Sequence, residues 1–230
     1  MWKKIHPDSA ILNSPNPSIN ACSGNHRPTL PAADPTTLIV WRKSLLFNCD
    51  GFTVFDSTGN LVYRVDNYPK CKNQGEIVLM DAAGKPLLTI RRKVEILSES
   101  LLDVQTKLIL GQYWGIYAGE TRSAPRFSAR KQMSFFRSRT LARLTTSSVA
   151  VAVGEGYEVE GCYKQRRCAV FDERRREMAE IRQKEAVGGA AFGLDVFRLV
   201  VQPSFDAAVA MAVVVLLEGM IGSKSSPIKG

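Results

Sequence analysis

Three stretches of this chain repeat one alternation of apolar and polar positions. In each, a short apolar run ends in aspartate, a polar four-residue turn follows, and a second apolar run begins. Phe52-Thr53-Val54-Phe55-Asp56 leads through 57–60 to 61–65, Ile77-Val78-Leu79-Met80-Asp81 through 82–85 to 87–90, and Cys168-Ala169-Val170-Phe171-Asp172 through 173–176 to 178–181. Aspartate suits the start of a turn because its carboxylate accepts from nearby backbone N–H groups, and Gly59 and Gly84 supply positive φ. An aliphatic residue lies nine positions after each aspartate: Val65, Ile90 and Ile181. Three hairpins of one design predict an antiparallel sheet with halves that echo each other. Further strands are expected at 114–117, Phe127–Lys131, 149–153, 157–159 and 194–202, after a first β-prone run at 38–41. The stretch 98–110 fits either a helix or a loop insertion.

The segment after Pro203 breaks this rhythm. Ser204 is the expected N-cap of a helix with Asp206 in its first turn, where a negative charge complements the helix dipole. Eleven apolar residues, Ala207–Leu217, then run unbroken to Glu218, and Gly219 and Gly222 offer stops. A membrane-spanning helix needs roughly 20 apolar residues, so this run is too short for one. A helix apolar on every side must be surrounded by protein, and threading it through a closed β-barrel satisfies both conditions. The competing reading is a buried strand continuing from Val200. Pro203 and the Ala and Met content favour the helix. The fold expected is therefore mainly β, a closed antiparallel barrel enclosing a central hydrophobic C-terminal α-helix.

Residues 1–35 are rich in Pro, Asn and Ser without apolar periodicity and are expected to form a disordered tail. The barrel domain is placed at 36–222 and a short disordered tail at 223–230. Of the 230 residues, 45% are hydrophobic and 23% charged, which are ordinary globular values. Five cysteines, an odd number with no CxxC spacing, fit reduced thiols, and no signal peptide or transmembrane span is discerned. The location expected is cytoplasmic, with peripheral plasma-membrane or nuclear association, and the state expected is monomeric.

Candidate chemistry narrows more by exclusion than by motif. The two histidines, His6 and His26, lie in the proline-rich tail, so the folded part offers no imidazole for a nucleophile–His pair or a His-ligated metal. There is no Walker-type phosphate loop, and Gly154-Glu155-Gly156 lacks a dinucleotide fingerprint. Cys162 and Cys168 read as thiols rather than zinc ligands, and Asp56, Asp81 and Asp172 as turn formers rather than a calcium cluster. No catalytic residue, metal site or cofactor is assigned, and the chain is expected not to be an enzyme. The net charge of +9 leaves an anionic membrane, nucleic acid or an acidic protein open as partners, the alternative being basic residues that only solvate the surface. Between Thr121 and Gly154 there is no acidic residue, and Arg126, Arg130, Lys131, Arg137, Arg139 and Arg143 occur with Phe127, Phe135 and Phe136 among them. Arginine forks bind phosphate and aromatic rings insert at a headgroup boundary, so these six are the candidate anionic-ligand residues. The alternative is a solvated face of strands and loop. If 137–143 is extended, Arg137, Arg139 and Arg143 share one face.

The run Leu45-Leu46-Phe47-Asn48-Cys49-Asp50-Gly51-Phe52-Thr53-Val54-Phe55-Asp56, continued by Gly59-Asn60-Leu61-Val62-Tyr63-Arg64-Val65, resembles the plant LURP-one-related proteins. So does Phe197-Arg198-Leu199-Val200-Val201-Gln202-Pro203-Ser204-Phe205-Asp206 with the apolar helix after it. The resemblance covers about Thr36 to Gly222. It implies the tubby C-terminal-like fold shared with phospholipid scramblases, a barrel around a central hydrophobic helix. It further implies phosphoinositide or other anionic phospholipid headgroups as peripheral partners and a plant defence or signalling setting. Alternatives are a membrane-tethered, transcription-linked or protein-interaction adaptor using the same basic surface, with nucleic acid left open, and a scramblase-like lipid-handling protein.

Overall fold

A computed structural model describes residues 33–46, 50–67, 76–97, 108–121, 123–131, 139–146, 156–185 and 193–222. Among them run twelve strands: β1 (Thr36–Trp41), β2 (Asp50–Phe55), β3 (Leu61–Asn67), β4 (Glu76–Asp81), β5 (Pro86–Leu97), β6 (Leu108–Ala118), β7 (Phe127–Lys131), β8 (Thr140–Thr146), β9 (Gly156–Cys162), β10 (Arg167–Asp172), β11 (Glu177–Gln183) and β12 (Val196–Val201). Each is antiparallel to its neighbour in sequence, and β1 closes the barrel on β12, with Val40 opposite Phe197. Closure leaves no unpaired sheet edge.

The three Asp hairpins are one structure three times. Asp56, Asp81 and Asp172 each accept, through a carboxylate oxygen at 2.8 Å, the N–H four residues on, from Asn60, Lys85 and Arg176. Gly59, Gly84 and Arg175 donate back to the aspartate carbonyls at 3.2, 3.1 and 3.0 Å with φ of 91°, 87° and 61°. In each hairpin the pairing slips so that Val62, Leu87 or Met178 has no opposite number, always six residues after the aspartate. That extra residue restores the alternation, and Val65, Ile90 and Ile181 point inward at 1%, 0% and 1% exposure.

α1 (Ala207–Leu217) fills the barrel, and every residue from Val209 to Leu217 is buried. Its start differs from the sequence expectation. The N-cap is Asp206, whose carboxylate accepts from the Ala208 N–H at 2.9 Å, rather than Ser204. A turn closed by Phe205 N–H on the Gln202 carbonyl (2.9 Å) occupies Pro203 and Ser204, so helical geometry begins two residues later. The helix continues past Leu217 as a wider π-helical turn, Glu218–Gly222. Gly219 is required there: a Cβ at that position would lie 2.5 Å from the Trp114 indole.

Of the strands expected, Phe127–Lys131 is β7, 114–117 lies in β6, 157–159 in β9 and 194–202 contains β12. The expected strand at 149–153 lies outside the described residues. Leu108 to Leu110 of the ambiguous stretch belong to β6, and 98–107 is outside the described residues. β8 has no counterpart in the sequence expectation. Leu141 has no partner opposite, so Thr140 faces Glu160 while Ala142 faces Val159, and the apolar alternation that marks a strand is interrupted.

Candidate functional site

The direction of α1 gives the barrel two unlike ends. At the N-terminal end of the helix lie the Asp hairpins and Asp206. At the C-terminal end lie the β1–β2, β9–β10 and β11–β12 connections and the π turn. Strand polarity therefore decides where each basic side chain stands.

Arg126, just before β7, stands at the N-terminal end. It pairs with Asp206 at 3.3 Å and stacks over Phe127, 5.4 Å from the ring centre. Lys131, at the other end of the same strand, donates to the Met220 carbonyl at 3.1 Å, a cation on the last carbonyls of the helix. Arg130 is exposed on the outer face, opposite Arg143 of β8 and Tyr113 of β6. Like charges directly opposite repel. Here the Arg143 guanidinium is drawn away to Glu158 of β9, with Nε at 3.1 Å and Nη2 closer. Arg139 is exposed ahead of β8 and its carbonyl accepts from Gly161 N–H at 3.0 Å. Arg137 is outside the described residues. The candidate set is thus spread over both ends and one flank, with Arg130, Arg139 and Arg143 grouped on the β7–β9 flank.

Acids absent from the run itself arrive from the next strand. Glu158 and Glu160 project outward from β9, and Arg175 spans both, at 3.3 Å to Glu158 and 2.7 Å to Glu160. Arginines outside the 121–154 run are engaged likewise. Arg176 pairs with Asp172 at 2.7 Å, and Arg91 holds Glu76 at 3.1 Å while stacking on Tyr117. A shallow depression of about 550 Å³ lies next to this flank on the outer face of β9–β11, its rim including Arg139, Arg167, Phe171 and Arg182, with Glu160 and Glu180 between them. It presents charges of both signs with an excess of guanidinium.

At the C-terminal end of the helix a polar plug closes the barrel. Arg166, in left-handed geometry (φ 53°) and 5% exposed, is sandwiched between the Tyr163 and Phe197 rings at 4.3 and 4.4 Å. Its Nε donates to the Leu194 carbonyl at 2.8 Å, and Nη2 lies 3.8 Å from Glu218. Glu218 also accepts from the Tyr163 hydroxyl and from Arg42, both at 3.0 Å. Burial raises the Tyr163 hydroxyl above its usual range, so it stays protonated and donating. At the same end of the barrel three large apolar side chains are exposed among the described residues: Trp41 (41%), Leu45 (49%) and Leu194 (46%). Sequence reading gave them no role, because Trp41 and Leu194 sit at the ends of strand-like runs and only the closing of the barrel leaves those ends outside.

Burial pushes the Cys168 thiol up to about 12, so it is not a thiolate near neutrality. The three hairpin aspartates are occupied by their own turns, and no cluster of metal-ligating side chains occurs among the described residues. No helix among them is long and apolar enough to cross a membrane.

A family model described as LURP-one-related matches residues 36–218. The chain is 47% identical over 189 residues to the Arabidopsis thaliana protein LURP-one-related 8, covering 81% of this chain and 87% of that one. It is 38% identical over 196 residues to LURP-one-related 17 of the same plant, covering 80% and 83%. An X-ray structure of an Arabidopsis thaliana protein superposes with a TM-score of 0.55 at 19% identity, covering 82% of this chain and 92% of that one, a likeness of fold.

Proposed function

The chain belongs to the LURP-one-related family, and from that premise we propose that it is a non-enzymatic module that docks reversibly on anionic phospholipid, phosphoinositides above all, in a plant defence or signalling setting. The observation that carries this reading is the outward grouping of Arg130, Arg139 and Arg143 on the β7–β9 flank, beside a depression rimmed by further arginines. Guanidinium forks suit phosphate oxygens, and each basic residue near an anionic surface is worth about 1 kcal/mol. Glu158 moderates this attraction, since Arg143 must exchange a carboxylate for a phosphate. Affinity is then modest and falls as salt screens the charges.

Co-sedimentation with phosphatidylcholine vesicles, with and without a phosphoinositide, tests the reading. The native chain is expected to sediment only with the anionic vesicles and less as salt rises. The variant Arg130→Gln/Arg139→Gln/Arg143→Gln is expected to lose most of that binding with an unchanged Tm, as exposed positions tolerate substitution. Equal sedimentation of the two proteins, or equal binding to neutral vesicles, would overturn it. Binding to duplex DNA in place of vesicles would favour the adaptor reading.

A further inference from the structure

We propose that the barrel meets the bilayer end-on, with the C-terminal end of α1 toward the lipid and Trp41, Leu45 and Leu194 entering the headgroup boundary. This rests on the phospholipid reading above and adds to it an orientation and an inserted edge that the arginine flank does not supply.

Three observations converge on that end. The three exposed large hydrophobic residues, among those described, all stand there: Trp41 closes β1, Leu45 follows in the β1–β2 connection, and Leu194 precedes β12. Trp41 and Leu194 are held side by side through the backbone of the next residues, for Arg42 N–H donates to the Asp195 carbonyl at 2.7 Å, while Leu45 stands on the connection that follows Trp41. Single exposed leucines are unremarkable, but a tryptophan and two leucines on one rim form a patch.

Cations border that patch. Lys43 lies over the Trp41 ring, 5.5 Å from its centre, Lys164 is exposed on the β9–β10 turn and Arg167 is exposed at the start of β10. None of the three forms an ion pair with a described residue, whereas Arg42 and Arg166 are held by Glu218. An indole flanked by a lysine ammonium matches the depth at which a bilayer changes from acyl chain to phosphate.

The opposite end is unsuited to an anionic surface. Asp56, Asp81, Asp172 and Asp206 all stand there, and Arg126 is paired with Asp206. The C-terminal end holds acids as well, of which Asp195 and Glu218 are paired with Arg42, but it is the end where Lys43 and Lys164 are left for an anionic surface. The occupant is a lipid surface because the exposed apolar side chains include an indole with a lysine ammonium over its ring, beside further cations.

The full chain carrying Trp2→Phe leaves Trp41 as the exposed indole, since Trp114 is 5% exposed. With phosphatidylcholine vesicles containing phosphatidylserine, its emission is expected to shift to the blue and to be quenched by lipids brominated along the acyl chain. The variant Trp41→Ser/Leu45→Ser/Leu194→Ser is expected to lose roughly tenfold or more in vesicle affinity at unchanged Tm. If the native chain binds these vesicles while Trp41 is not quenched and the variant binds equally, the end-on edge is wrong and the phospholipid reading stands. If the native chain binds no anionic vesicle, both fall. If it runs as a dimer in solution that the triple substitution dissociates, the patch is a contact between copies and the proposal is overturned.

Discussion

Asp56 shows how one side chain sets a turn. Its carboxylate accepts from the Thr58 hydroxyl at 2.7 Å, from the N–H groups of Asn60 and Thr58 at 2.8 and 2.9 Å, and from the Asn60 amide at 3.1 Å. These donors, the Thr58 hydroxyl foremost, lower its pKa from 3.8 to about 2. A carboxylate whose folded pKa is depressed contributes stability that is full above the unfolded value and is lost as pH falls through the folded one. Asp56→Ala is therefore expected to lower the Tm at neutral pH. The gap from the native chain should close as pH falls from about 4 to about 2, which melting curves at stepped pH would reveal. A gap that persists at the lowest pH would mean that the charge of Asp56 is not what holds the turn. At the third hairpin Arg175 takes the left-handed position that Gly59 and Gly84 take in the others. It stacks on Phe171 at 4.6 Å and bonds Glu160, contacts that offset an unfavourable backbone and that glycine would not make. Turn type was legible at Asp56 and Asp81 through their glycines. At Asp172 it was legible only from the repeat, because the compensating contacts come from β9 and β10.

At the scale of elements, α1 is the part most dependent on its surroundings. Its residues from Val209 to Leu217 are buried on all sides, so there is no face on which a charge could reach water. Val214→Asp, at a residue with 0% exposure, is expected to cost several kcal/mol and to leave the chain insoluble or unfolded. Val214→Ala should cost about 1–3 kcal/mol and keep the fold, as a cavity would. A soluble Val214→Asp chain with a native melting curve would remove α1 from the core. The helix was legible in the sequence because a run of eleven apolar residues after Pro203 has few other solutions. β8 was not, because Leu141 breaks its alternation, and the pairing that shows it to be a strand is supplied by β7 and β9.

For the molecule as a whole, residues 36–218 match the family and contain all twelve strands and α1. Removal of residues 1–34 is accordingly expected to leave the Tm and the far-ultraviolet spectrum of the barrel unchanged, since that segment has no apolar periodicity to pack. A fall of many degrees would show that it contributes to the fold. Local pattern determined which segments pair as hairpins, where chain direction reverses, and that α1 must lie inside a closed sheet. Turn chemistry and apolar periodicity act over a few residues, and both are written along the chain. The charged surface is different. An acid-free run between Thr121 and Gly154 suggested one basic patch, yet strand direction carries Arg126 and Lys131 to opposite ends of the barrel. Glu158 and Glu160 enter from β9 to engage Arg143 and Arg175. Trp41 and Leu194, apolar residues at strand ends, are left outside by the point at which the barrel closes. Only the tertiary structure decided these matters, because charge pairing and exposure depend on neighbours distant in sequence, and those are chosen by register and closure.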